Sequence, residues 1–554
     1  MTLSELLLER KLLNEQQVAE VIAAQQPEGR RFDQIVLEKG FVTERQLLTV
    51  MAEQLHLPLM ELEGVEVAPD TLKALPSKIV YRQRIMPIEL NGEDLKIATC
   101  DPFDLYALDD VRMMTGLNIH PVLARREEVE KLIKDHFGLG GDTLDELAAD
   151  DIEIEGADAA TDDLLEMAQE ASVIKLVNEI ILEAVNERAS DIHIEPYETS
   201  TAIRYRIDGV LREAPIPPQM HRFQAAIISR IKILASLNIA ERRIPQDGRI
   251  KFNVGARQID VRVSVIPMLF GEGIVMRLLD KANVMFTLLE LGMSEDIYGT
   301  FHNLIARPHG IILVTGPTGS GKTTTLYASL NEIVDGEIKV LTVEDPVEYH
   351  LNGVNQIPVD HKVGMTFAAG LRAILRHDPD AVMIGEIRDE ETARAAIQAS
   401  LTGHLVLSTL YTNDAPSAAT RLIDMGIEPY LVSSTLAGAM AQRLVRKICP
   451  NCKTEYEPDP RKTPKDFNLQ PGEKVWRGNG CDDCRKTGYR GRMGIHELMP
   501  LDDELADMIV AQESALNLTR TAVKNGMRLL REDGWKKVRE GTTTLDAVIS
   551  CTAH

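Results

Sequence analysis

Residues Gly310–Leu330 read GIILVTGPTGSGKTTTLYASL. An apolar run, Ile311 to Val314, leads into Gly316-Pro317-Thr318-Gly319-Ser320-Gly321-Lys322-Thr323, a complete G-x-x-x-x-G-K-T, and a helix-forming stretch from Thr324 to Glu332 leads out. Strand, glycine loop and helix in that order build a cradle for a triphosphate. The glycines let backbone N–H groups curl around phosphate oxygens at a helix N-terminus, where the dipole favours anions. Lys322 neutralises charge on the β- and γ-phosphates, Thr323 offers a hydroxyl to Mg²⁺, and Thr324 closes the binding stretch. The flanking context fits as well as the motif does, so ATP with Mg²⁺ is the expected ligand.

Two more strand ends downstream carry acids. KVLTVEDPVEY (339–349) ends a strand at Glu344, and DAVMIGEIRD (380–389) ends one at Glu386. Ligands of parallel α/β sheets lie at the carboxyl ends of the strands, which puts both acids within reach of the phosphates. One can sit in the Mg²⁺ shell and the other can orient an attacking water. A third strand, LVLSTL (405–410), follows His404. That histidine is expected to feel the γ-phosphate, with a satisfied core histidine as the equal alternative.

Four of the six cysteines form two pairs, Cys449-x-x-Cys452 and Cys481-x-x-Cys484, separated by 28 residues. Four thiolates in tight pairs make a closed tetrahedral Zn²⁺ site, structural because no position is left for water. Reduced thiols without metal are the alternative.

Outward from these motifs, 554 residues exceed one core and call for three or four domains. A net charge of −24 disfavours clamping of nucleic acid. The N-terminus is too charged for a signal peptide, and the apolar runs fall short of the roughly 20 residues that span a bilayer. A cytoplasmic chain, brought to membranes by partners, is expected. Residues 1–60 hold a weak repeat, LERKLLNEQQV (8–18) against LEKGFVTERQL (37–47), read as paired helices. A small α/β part (61–137) follows, with a strand at Leu95–Cys100 and a helix at Leu105–Met114. The acidic stretch 138–165 reads as a solvated tether. Residues 166–283 read as a small α/β domain whose strands carry Arg204, Arg206, Arg262 and Arg277 on a polar outer face. Short apolar strands alternating with helices make 284–445 a doubly wound nucleotide domain. The cysteine element takes 446–490, and 491–554 is expected to be a helical subdomain.

The blocks ERRIPQDGR (241–249), the glycine loop, LTVEDPVEY and GLRAILRHDPDAVMIGEIRDEETARAAIQASLTGHLVLSTL (370–410) resemble the secretion ATPases that drive type II secretion and type IV pilus assembly. LTVEDPVEY, MRLLDK (276–281) and CRKTGYRGRMGIHELM (484–499) look more like the type II branch. The resemblance implies a multidomain α/β chain: a helical N-terminal domain, a PAS-like domain and a RecA-like ATPase domain with the zinc element inserted. It implies a homohexamer that hydrolyses ATP and pushes on an inner-membrane platform protein, the N-terminal domain docking a membrane-anchored partner. By resemblance Glu344 polarises water, Glu386 helps hold Mg²⁺, Arg262 and Arg277 reach phosphates from the preceding domain, and Arg372 and Arg376 lie near the subunit junction.

Two positions depart from the family pattern. Tyr411 stands where a second histidine is usual. Arg31-Phe32-Asp33 and Thr2-Leu3-Ser4 stand where relatives that bind cyclic di-GMP carry Arg-Leu-Gly, so docking is expected of that domain rather than the dinucleotide. A weakly active nucleotide-binding regulator, marked by Tyr411, is the alternative from another class.

Overall fold

The computed structural model describes residues 2–25, 31–138, 170–254, 257–280 and 286–553. The acidic tether, apart from Gly138, and the connector at 281–285 lie outside the described residues. The chain divides into two compact units, Met1–Asp280 and Lys281–His554.

The first unit opens with four helices, Leu3–Glu9, Glu15–Gln25, Phe32–Glu38 and Glu44–Leu55. They bury Leu7, Val18, Val21, Val36, Leu47 and Met51 in one core. Thr43 and Gln46 close a reciprocal cap at the start of the fourth helix, as the T-x-x-Q spacing predicts. A three-stranded sheet follows, ordered β1 (Ile85–Asn91), β2 (Asp94–Thr99), β3 (Asn118–Leu123). Helices Leu105–Thr115 and Arg126–Phe137 accompany it.

Beyond the tether, helices Ala171–Asn186 and Gln224–Leu234 share a core with an antiparallel sheet. Its strands are β4 (Asp191–Pro196), β5 (Thr201–Ile207), β6 (Val210–Glu213), β7 (Gln246–Val254), β8 (Arg257–Met268) and β9 (Gly271–Asp280), in the order β6-β5-β4-β9-β8-β7. The period-two pattern explains the split. Ile259, Val261, Val263 and Val265 are buried, while Arg262 alternates outward.

The second unit is built on seven strands: β10 (Gly310–Thr315), β11 (Val340–Glu344), β12 (Val354–Pro358), β13 (Ala381–Ile384), β14 (Leu405–Leu410), β15 (Leu436–Ile448) and, after a β16–β17 hairpin (Lys453–Tyr456, Val475–Gly478), β18 (Tyr489–Pro500). The order is β12-β11-β13-β14-β10-β15-β18, parallel except for β18 at the edge. Strands buried on both faces read as near-continuous apolar runs, and each face has its own core. On one side lie helices Glu295–Ile305 and Lys322–Ile333. On the other lie Phe367–Ile374 and Glu390–Leu401.

One boundary differs from expectation. The segment after 490 does not begin a helical subdomain: residues 489–500 form β18 and pair with β15, so the cysteine element is an insertion between two neighbouring strands. Helices begin only at Asp503. Among the described residues no helix is long and apolar enough to cross a membrane.

Candidate nucleotide site and cysteine cluster

β10 is buried along its whole length and delivers the glycine loop to the sheet's carboxyl edge. The loop requires glycine at its first position. Gly316 has φ 148°, and a Cβ there would lie 2.5 Å from the Gln442 carbonyl and 2.7 Å from Ser320 Oγ. Gly319 and Gly321 also take positive φ, and Gly321 caps helix Lys322–Ile333. Pro317 and Thr318 complete the turn. Thr323 and Thr324 sit half-buried in the helix's first turn.

Lys322 is buried and donates from Nζ to the carbonyls of Gly316 (2.9 Å) and Pro317 (3.1 Å). The ring of Tyr411 lies 4.3 Å from the same nitrogen. Burial lowers the Lys322 ammonium to about 8; Glu386 works to raise it, and Arg443 adds to the lowering.

Glu386 follows β13 by two residues, is buried, and pairs with Arg388. The Tyr411 hydroxyl hydrogen-bonds Glu386 as well, and burial together with that carboxylate pushes the Tyr411 phenol up. Tyrosine at this position therefore lies against both the lysine and an acid of the site. Glu344 ends β11 and is 2% exposed. It accepts hydrogen bonds from Tyr327 Oη, from Thr342 Oγ1 at 2.5 Å and from Gln356 Nε2 at 3.1 Å. Such a set of donors makes burial of a carboxylate affordable.

Several of these partners escaped the sequence reading. Gln442 on β15 accepts from Thr325 Oγ1 (2.7 Å) and donates to the Ser320 carbonyl (2.9 Å), tying the loop to the neighbouring strand. Arg443 follows it; its Nη1 would lie 3.2 Å from a Cβ at Gly316. A glutamine and an arginine interrupting the apolar run LAGAMA were the available signal.

Three further groups of expected site residues have the following surroundings. His404 is a correction. The register pairs Gly310 with Leu405 and Thr315 with Leu410, so His404 flanks the amino end of β10 and β14. At about 3.3 Å per residue it stands roughly 20 Å of strand away from the glycine loop. Its Nδ1 lies 2.8 Å from the Ala399 carbonyl and 3.0 Å from Thr402 Oγ1, which makes it a local helix-end group rather than a γ-phosphate sensor. Arg372 and Arg376 are exposed near the end of helix Phe367–Ile374. Arg372 pairs with Glu391 at 2.7 Å, and Arg376 donates to the Arg372 carbonyl. Arg262 and Arg277 belong to the other unit, where they are cross-strand neighbours on the polar face of the six-stranded sheet. Arg277 Nε donates to Asp191 Oδ1 at 2.9 Å. Burial opposes ionisation of Asp191, but Arg277, the Ser190 hydroxyl and Arg206 together outweigh it and hold the carboxyl below its ordinary value.

The four cysteines converge as their spacing predicts. Their sulfurs all lie within 4.8 Å of one another. Cys449–Cys481 is 3.8 Å, and Cys452–Cys484 and Cys481–Cys484 are both 3.7 Å. A tetrahedron with metal–sulfur bonds of about 2.3 Å has edges of about 3.8 Å, so the residues fit zinc. The backbone N–H groups of Cys481 and Gly488 each donate to Cys484 Sγ at 3.2 Å. Burial works against the Cys484 thiolate, yet these donors bring it down to about 6.

Comparison with known proteins shows the family. The family described as Type II/IV secretion system protein matches residues 166–550, and the MshEN domain matches 55–143. The type II secretion system protein E of Xanthomonas campestris is 43% identical over 99% of this chain and 98% of its own length. The type IV pilus assembly ATPase PilB of Myxococcus xanthus is 42% identical over 100% of this chain and 99% of its own. The ATPase DotB of Yersinia pseudotuberculosis shares the fold, at a TM-score of 0.52 and 20% identity over 72% of this chain and 96% of that one.

Proposed function

The chain belongs to the Type II/IV secretion system protein family, and on that premise we propose that it is the ATPase of a type II secretion machine, working as a ring of six copies. The observation that carries the reading is the buried cluster at the carboxyl edge of the sheet. A complete glycine loop, Lys322 and Glu386 meet there in a chain with a full-length type II secretion relative. Identity of 42% to a type IV pilus ATPase over the whole chain supports pilus extension as the second reading.

In this proposal the loop N–H groups and Lys322 bind the phosphates of ATP. Thr323 and Glu386 hold Mg²⁺, which when bound screens the phosphate oxygens. Glu344 aims the attacking water and draws its proton. Arg262 and Arg277 are brought to the phosphates when the domains of neighbouring copies close, which ties hydrolysis to movement. Arg372 and Arg376 line the junction between copies. The four cysteines hold a structural zinc. The stroke acts on a membrane platform, and the N-terminal domain docks a membrane-anchored partner. In that domain Arg31 is committed to Asp33 and Asp101 and lies 5.0 Å from the Phe103 ring centroid, which favours docking over cyclic di-GMP.

The test is Glu386→Gln in the full chain. Steady-state ATP turnover is expected to fall by about a hundredfold or more, with nucleotide binding, followed by a fluorescent analogue, retained. Turnover at the native rate would remove the site assignment. Complementation of secretion-deficient and pilus-deficient strains separates the two pathways.

A further inference from the structure

The hydrogen bonds on Glu344 are distributed unevenly. Oε1 accepts two, from Thr342 and Gln356, while Oε2 accepts one, from Tyr327. A carboxylate oxygen has two lone-pair directions, so Oε1 is filled and Oε2 keeps one direction open. Tyr327 comes from the helix that begins at Lys322. Its ring packs edge-on against Tyr349, at 4.5 Å between centroids, and would fill the same space without its hydroxyl. The hydroxyl is itself bracketed: Gln356 Nε2 lies 3.3 Å away and the Glu348 N–H 3.4 Å away. Gln356 is fixed in turn, donating to the Tyr349 carbonyl and accepting from the Leu351 N–H. Helix, strand end and the neighbouring strand β12 thus converge on one acid.

We infer that Tyr327 and Gln356 are positioning residues for Glu344: together with Thr342 they close one carboxylate oxygen and leave a single direction of the other for the attacking water. The inference rests on the proposed role of Glu344 and adds the parts that aim it. Burial and the Glu344 charge push the Tyr327 phenol well above its ordinary range, so it stays a donor. The other titratable groups around the acid are Tyr349 and Glu348 in the following loop, and Asp345, which faces His361.

The experiment measures kcat and KM for Mg-ATP of the full chain for the native protein, Tyr327→Phe, Gln356→Ala and Glu344→Gln. Tyr327→Phe is expected to lower kcat about tenfold and leave KM for Mg-ATP within about twofold, because the lost interaction is a charge-assisted hydrogen bond to Glu344. Gln356→Ala shows the same split of kcat from KM, and its half-buried side chain makes it the deciding variant should Tyr327→Phe fail to fold. Native kcat in the folded variants, with Glu344→Gln inactive, would overturn this inference and leave Glu344 standing. Turnover retained by Glu344→Gln would overturn the role of Glu344 itself, and this inference with it.

Discussion

Breaking the cysteine cluster with Cys481→Ser should loosen the inserted hairpin by an amount that can be worked out. Metal at the cluster joins Cys452 to Cys481 across 28 residues. Closing a loop of that length restricts the open chain by about 3.5 kcal/mol in the chain-entropy treatment, applied here to a metal clip. The insertion has a second anchor, however. Phe467 is fully buried against Trp535, 5.4 Å between centroids, with Arg539 over its other side at 4.4 Å. Trp535 Nε1 also donates to Asp466 at 3.0 Å. While Phe467 stays docked, the metal closes only about half of the loop, and the figure falls to about 3 kcal/mol. Ligation energy adds to this, so the value is a floor. Hydrogen exchange reads it locally: the amides of Lys453–Tyr456 and Val475–Gly478, which pair in the hairpin, should exchange about a hundredfold faster in the variant. Elemental analysis should fall from one zinc per chain to near none. Native protein without stoichiometric zinc, or unchanged exchange in Cys481→Ser, would refute the reasoning.

Two other outcomes follow from buried charges. Lys322 is lowered to about 8 by burial, and phosphate binds its protonated form, so nucleotide affinity should be flat below pH 8 and fall as pH rises through it, approaching tenfold per unit. Titration with a fluorescent nucleotide between pH 7 and 9.5 checks this, and a flat profile contradicts it. In the second, Lys537 is buried, donates to the Gly494 carbonyl at 2.7 Å and pairs with fully buried Asp533 at 2.5 Å. Lys537→Met should cost about 3 kcal/mol, at the low end for a broken buried pair because Arg528 still pairs with Asp533. Urea unfolding measures it. A variant as stable as the native chain would contradict the estimate.

What the sequence made legible was local. The glycine loop and the cysteine pairs need only neighbours in the chain, and both sites form where their spacing placed them. The alternation of β5, β8 and β9 put Arg262 and Arg277 on a polar face because a strand's two sides are written in successive residues. Long-range pairing was not legible. β18 carries two glycines and no clean alternation, and its partner β15 lies across the whole insertion, so nothing in residues 489–500 announced a sheet edge. His404 was misplaced for a related reason: nearness to a strand in sequence does not say which end of the sheet a residue occupies. Gln442 bonds the glycine loop from about 120 residues downstream, and Tyr327 reaches Glu344 across helix and sheet. Such contacts depend on register, which pattern alone does not specify.

β15 runs from the glycine loop toward the cysteine cluster, with its pairing to β18 shifting register between Arg446 and Ile448. Gln442 holds the loop, and the strand ends at Ile448, one residue before Cys449. The two sites are mounted on one strand about 20 Å apart. A tilt of that strand at the glycine-loop end would be carried to the hairpin beyond Cys449, and Trp476 on the hairpin is the natural place to watch for it.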